Sequence, residues 1–180
     1  MFFKKIARLV IIVGSLLLIP LIGMQFNSEI KWSVEDFIIA GLLLLGAGFV
    51  YELISKVSKN QPYRFAVGIT VVTALFLVWA NLAVGLIGNE NNPANLLYGL
   101  VLVTGVIGAL VTRLKPLGMR HVLIAMAIVQ VLVPVAALII WRPDISTWLA
   151  LFNIVQVLAV NFLFVLLWLF SAALFKRSAV

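Results

Sequence analysis

Apolar residues along this chain neither alternate nor recur with a helical period. They run on for about 20 residues at a time, six times over, with short polar breaks between. Such a run at 1.5 Å rise per residue spans the roughly 30 Å hydrocarbon core of a bilayer. The pattern predicts an all-α integral membrane protein with one six-helix transmembrane domain over residues 1–180. The expected spans are 6–25, 35–55, 64–88, 94–112, 120–141 and 147–175. The last run carries too few polar side chains to lie on a membrane surface, so it is expected to cross.

The basic residues supply an orientation. Eleven of the thirteen Lys and Arg fall on one side of this threading, at Lys4, Lys5, Arg8, Lys56, Lys59, Arg64, Arg113, Lys115, Arg120, Lys176 and Arg177. Lys31 and Arg142 fall on the other. The positive-inside rule then predicts both termini in the cytoplasm. Glu29, Glu35, Asp36, Glu90 and Asp144 lie outside and Glu52 inside, a distribution that the rule does not count. Trp32, Trp141 and Trp148 fall at expected outer boundaries and Tyr63 at an inner one, where amphipathic rings favour the headgroup region. The chain also divides into three hairpins of comparable length, with inner breaks near Asn60 and Gly118, which would be parallel repeats.

Composition narrows the chemistry. The hydrophobic fraction is 64% and the charged fraction 11%, against about 45–50% and about 25% in soluble domains. The net charge of +7 is dispersed among short loops and is no nucleic-acid footprint. With no cysteine, disulfides, thiolate metal sites and Cys nucleophiles are excluded. His121 stands alone and beside Arg120, as a surface residue, so neither haem ligation by two imidazoles nor a three-His zinc site is open to one chain. No cofactor and no metal are expected. The basic and apolar start, residues 1–23, has the form of a secretory signal. Its long apolar run lacks a small-x-small cleavage site before Gln25, so it is taken as an uncleaved first span.

Within the spans, small residues and amides stand out. Ala40, Gly41, Ala47 and Gly48 in the second span, and Thr104, Gly108 and Thr112 in the fourth, form seams for close helix packing, within one chain or between two copies. Counting from the outer boundary, Asn81 lies about 10 Å deep, Asn153 about 8 Å, Gln156 about 12 Å and Gln130 near the midplane, with Asn161 slightly further in. Pro134 frees the carbonyl of Gln130 from its helical partner. Asn81, Gln130, Asn153 and Gln156 are therefore expected to converge into one polar layer, either joining helices or lining a solute cavity. Asn161 is rotated by about 80° from Asn153 and stands apart. No ionisable group reaches the midplane. Glu52 and Lys56, four apart, are expected to pair at the inner interface.

The stretch from Trp79 to Tyr98 is the most distinctive. Gly85 and Gly88 loosen a helix end, Asn92 can cap the next helix, and Pro93 suits its first position. Asn89, Glu90, Asn91 and Asn92 offer a partner-binding or gating surface, while a single carboxylate is too little for calcium. The motif Trp79-Ala-Asn-Leu-Ala-Val-Gly-Leu-Ile-Gly88 followed by Asn92-Pro-Ala-Asn-Leu-Leu-Tyr98, with Ile30-Lys-Trp-Ser-Val-Glu-Asp-Phe37 and Tyr51-Glu-Leu53, resembles a group of small, uncharacterised multi-pass proteins of the bacterial inner membrane. The resemblance covers the first two thirds of the chain; it implies location and topology and supplies no catalytic residue.

An enzyme is not expected, since no nucleophile set, metal triad or phosphate loop is present. The expected role is structural, in assembly, or in binding a partner. That partner would be the lipid bilayer and another membrane protein or a second copy, with no nucleic acid. The alternative is a transporter or channel for a small neutral solute that uses the amide layer.

Overall fold

The computed structural model describes residues 2–27, 31–141 and 148–179, and gives the backbone alone for residues 2–5, 141 and 148–150. Glu29, Arg142 and Asp144, and the side chains of Trp141 and Trp148, lie outside the described residues. Six α-helices and one 3-10 turn account for nearly all of what is described: α1 (Phe2–Phe26), α2 (Val34–Ile54), α3 (Gln61–Ala83), the 3-10 turn (Pro93–Tyr98), α4 (Gly99–Thr112), α5 (Pro116–Trp141) and α6 (Trp148–Arg177). All six spans are long and apolar enough to cross a membrane, the fourth comprising the 3-10 turn and α4 together.

The surface is strongly apolar: Leu110, Val111 and Ile139 are 73%, 76% and 65% exposed, while the largely apolar core also takes in Gln130, Asn161, Thr73 and Ser171. That distribution suits helices whose surroundings are lipid, where outward residues match the acyl chains and inward polar groups find one another.

The chain divides into two compact units, residues 1–53 and 54–180, described separately. In the first, α1 and α2 are antiparallel. A Cβ on Gly41 would touch Leu17 at 3.5 Å, and one on Gly48 would collide with Leu9, so these glycines let the two helices close on each other. Arg8 Nη2 donates to Glu52 Oε1 at 2.8 Å near the basic end of this hairpin. Glu52 thus pairs with Arg8 of α1, and α2 stops at Ile54, before Lys56, the residue expected to pair with Glu52 along the helix. Ser33 caps α2: its backbone N–H and hydroxyl donate to Asp36 Oδ2, and the Asp36 N–H donates back to Ser33 Oγ.

In the second unit α6 packs against both α5 and α3, and α4 packs against α5. The α3–α6 seam is closed by hydroxyls, with Ser171 Oγ donating to the Ala66 carbonyl at 2.8 Å and meeting Thr70 Oγ1 at the same distance. Tyr63, fully buried, stacks edge-on against Phe175 and donates its hydroxyl to the Leu114 carbonyl at 3.0 Å. That bond holds the α4–α5 turn, where Arg113 and Leu114 both take left-handed backbone angles (φ 52° and 58°) without a glycine. The seam expected on span four is an α4–α5 contact within one chain: a Cβ on Gly108 would lie 2.6 Å from Val122, and one on Gly105, a residue outside the expected seam, would lie 2.9 Å from Met126.

Candidate functional site

Asn161, four turns before the end of α6, gathers the buried polar groups of this unit. Its Oδ1 accepts from Tyr98 Oη at 2.9 Å and from Gln130 Nε2 at 2.8 Å, and its Nδ2 donates to the Val157 carbonyl at 2.8 Å. Gln130 Oε1 in turn accepts from the indole N–H of Trp168 at 3.3 Å. Four side chains from the 3-10 turn, α5 and α6 thus form one chain of hydrogen bonds, and none is more than 3% exposed. Its chemistry is limited: two amides, an indole and a phenol hold no general base and no charge. Every side-chain pair in this chain joins two different elements, so the node locks helices together.

The four amides that depth alone groups together go to different places. Gln130 enters the node. Asn81 remains on α3, where its Nδ2 donates to the Leu77 carbonyl at 2.7 Å and its buried Oδ1 has no hydrogen-bond partner among the described residues. Asn153 and Gln156 are exposed on α6. The expected single layer is therefore replaced by a node built on Asn161, Tyr98 and Trp168, residues outside the expected set. Rotation explains part of this: Asn161, Phe164, Trp168, Ser171, Ala172 and Phe175 are all buried and form one stripe at spacings of three, four and seven, and Gln156 lies off it, whereas Asn153, about five turns before Ser171, falls at the edge of the stripe.

Above the node lies the asparagine-rich turn. α3 ends at Ala83, five residues short of the expected 88, because Gly85 and Gly88 adopt φ of +71° and +74° and turn the chain back. The buried Asn95 side chain staples this turn. Its Oδ1 accepts from the Ile87 N–H at 2.8 Å and its Nδ2 donates to the Asn89 carbonyl at 2.7 Å. Asn92 caps the 3-10 turn by accepting from the Ala94 N–H at 2.9 Å, as its position before Pro93 implies. Asn89, Glu90 and Asn91 are exposed on top, where Asn91 Nδ2 donates to Glu90 Oε1 at 3.3 Å. Among the described residues no cluster of three or more His, Cys, Asp or Glu could hold a metal.

Asn95→Ala is expected to cost about 1–3 kcal/mol, because it removes the partners of the Ile87 N–H and the Asn89 carbonyl together. Asn91→Ala, at the exposed tip, should stay within about 0.5 kcal/mol of the parent. Thermal unfolding in detergent measures both.

Beneath the turn is a cavity of about 240 Å³ whose polar lining comes from Asn92 and Asn153, with Gly88, Pro134 and Val157 among its apolar walls. Comparison of the chain with protein-family models, with curated proteins and with solved structures finds no match.

Proposed function

We propose that this is a multi-pass protein of the bacterial inner membrane, with both termini cytoplasmic, that acts as a structural or partner-binding element and performs no catalysis. The topology rests on the distribution of Lys and Arg, eleven against two, and the location on the resemblance carried by Trp79–Gly88 and Asn92–Tyr98.

The observation that carries the role is the closed polar node. Gln130, Asn161, Tyr98 and Trp168 satisfy one another at a depth where a solute path would leave such groups facing a lumen. Helices so joined form a rigid platform, and the apolar flanks and the asparagine turn are its available surfaces. A second reading, binding or passage of a small neutral solute, is favoured by the cavity at Asn92 and Asn153.

Two assays separate these readings. Mild solubilisation of the tagged, full-length protein is expected to recover a membrane polypeptide in fixed stoichiometry, and liposomes holding the purified protein are expected to pass neutral solutes no faster than empty ones. Solute flux abolished by Asn153→Leu, with no partner recovered, would establish the second reading instead.

A further inference from the structure

We propose that the α4–α5 edge of the second unit is a binding site for one anionic phospholipid, with the headgroup phosphodiester held at the α4–α5 turn and an acyl chain lying along α4. The proposal rests on the membrane-spanning reading of these helices and goes beyond the partner-binding role.

Two grooves, with no lining residue in common, lie along α4 and at the turn that follows it. The first, about 610 Å³, is almost wholly apolar and runs between α4 and α5, lined by Leu100, Thr104, Ile107 and Gly108 on one wall and by Val129 and Leu132 on the other. The second, about 790 Å³, lies at the turn and carries Arg113 and Lys115 beside Thr112, Gly118 and Ser178. Leu100, Thr104, Gly108 and Val111 sit at helical intervals of four, four and three, so a single face of α4 leads from one groove to the other. From Leu100 to Val111 it is roughly 16 Å long, the reach of a long acyl chain. The arrangement is amphiphilic in the order that a phospholipid requires.

Charge selects the headgroup. Arg113 and Lys115 are exposed and make no ion pair among the described residues. Lys176 and Arg177 end α6 at this same end of the unit, whose only described acid, Glu90, lies in the turn at the opposite end. Cations beside a lipid-facing groove, left without acids, complement a phosphodiester. The turn is also held in place before any ligand arrives, because Tyr63 fixes the Leu114 carbonyl from α3 and Gly118 brings the start of α5 against Thr112, 2.5 Å from where a Cβ would stand.

Native mass spectrometry of the full-length protein in a neutral detergent tests this. The probes are dioleoyl phosphatidylglycerol, dioleoyl phosphatidylcholine and the water-soluble headgroup glycerophosphoglycerol. One phosphatidylglycerol is expected to bind in preference to phosphatidylcholine, and the headgroup alone should bind far more weakly. Arg113→Gln with Lys115→Gln should weaken phosphatidylglycerol roughly 25-fold, about fivefold for each cation removed. Lys56→Gln with Lys59→Gln, which removes equal charge outside the groove, should leave it nearly unchanged. Should the double variant fail to fold, Lys115→Gln alone, at an exposed side chain, carries the test at about fivefold.

Thr104→Trp, which fills the apolar groove, should also weaken binding. Equal losses in the two double variants, equal binding of the two lipids, or equal binding of the bare headgroup would each overturn the site. So would an altered oligomeric mass in Thr104→Trp with lipid binding intact, which would assign the groove to a second copy. Extraction of the parent chain from membranes by alkaline carbonate would instead remove the membrane reading beneath it.

Discussion

Trp168→Ala is expected to destabilise the protein by about 3–4 kcal/mol, the largest effect of any single substitution considered. Trp168 is wholly buried, and its indole N–H is the donor that satisfies Gln130 Oε1. Truncation removes the largest buried side chain on the α6 stripe, leaves a cavity too deep for the helices to collapse fully, and strands an amide oxygen. Lipid outside the bundle does not offset this. A bilayer weakens the solvent-driven term between helices, but the dispersion attraction across a filled site disappears with the side chain, whatever solvent surrounds the bundle. Trp168→Phe keeps most of the volume and forfeits the N–H and a small part of the ring, so it should cost about 1–2 kcal/mol. Equilibrium unfolding in mixed detergent micelles reads both values, and equal costs for the two variants would show that volume at this position is irrelevant.

Asn161→Leu comes second, at about 2 kcal/mol. The shapes are nearly the same, so the loss is chemical: Tyr98 Oη and Gln130 Nε2 both lose their shared acceptor. Two stranded donors in a soluble core would cost more, but in membranes interhelical hydrogen bonds are worth about 0.6 kcal/mol on average and up to about 1.7. Two such bonds set the expected figure. A lumen-lining asparagine would behave differently, since its replacement would leave stability intact and abolish transport.

Much of the fold was legible because a bilayer constrains it so strongly. Six apolar runs of span length needed no knowledge of packing, and most helix ends fall within a few residues of where charge and turn residues put them. The exception, the end of α3, depended on how far two glycines would turn the chain. Gly85 and Gly88 were visible, but their positive φ, and the recruitment of Asn95 from the next element to brace them, are tertiary facts. The capping of α2 by Ser33 and Asp36 is likewise a finding of the structure, although the helix starts at Val34, one residue from the expected 35.

The polar site was less legible. Hydropathy gives the depth of a residue in the membrane and nothing about its direction, and α6 is apolar on every face. Depth therefore grouped Asn153 and Gln156 with Gln130, although both are exposed and neither joins the node, Asn153 lining the cavity under the turn instead. The missing signal lay in residue kind. Asn161, Trp168 and Ser171 recur at intervals of seven and three among leucines and phenylalanines, and a polar or hydrogen-bonding group repeated on one face of a membrane helix marks the side that meets other helices. Tyr98 carried a similar clue, since it closes the Asn92–Tyr98 motif and donates the hydroxyl that joins the 3-10 turn to α6.

A double-mutant cycle at Gln130 and Asn161 tests most directly whether the mid-membrane amides exist to bind each other. Unfolding free energies of the parent, Gln130→Leu, Asn161→Leu and the double variant would be measured in the same micelles. The single losses are expected to overlap, with a coupling of about 0.6–1.7 kcal/mol, so that the double variant costs less than the sum of the two single ones. Strictly additive losses, with coupling indistinguishable from zero, would mean that the two side chains do not hold the helices together, and the node would have to be abandoned as the protein's structural centre.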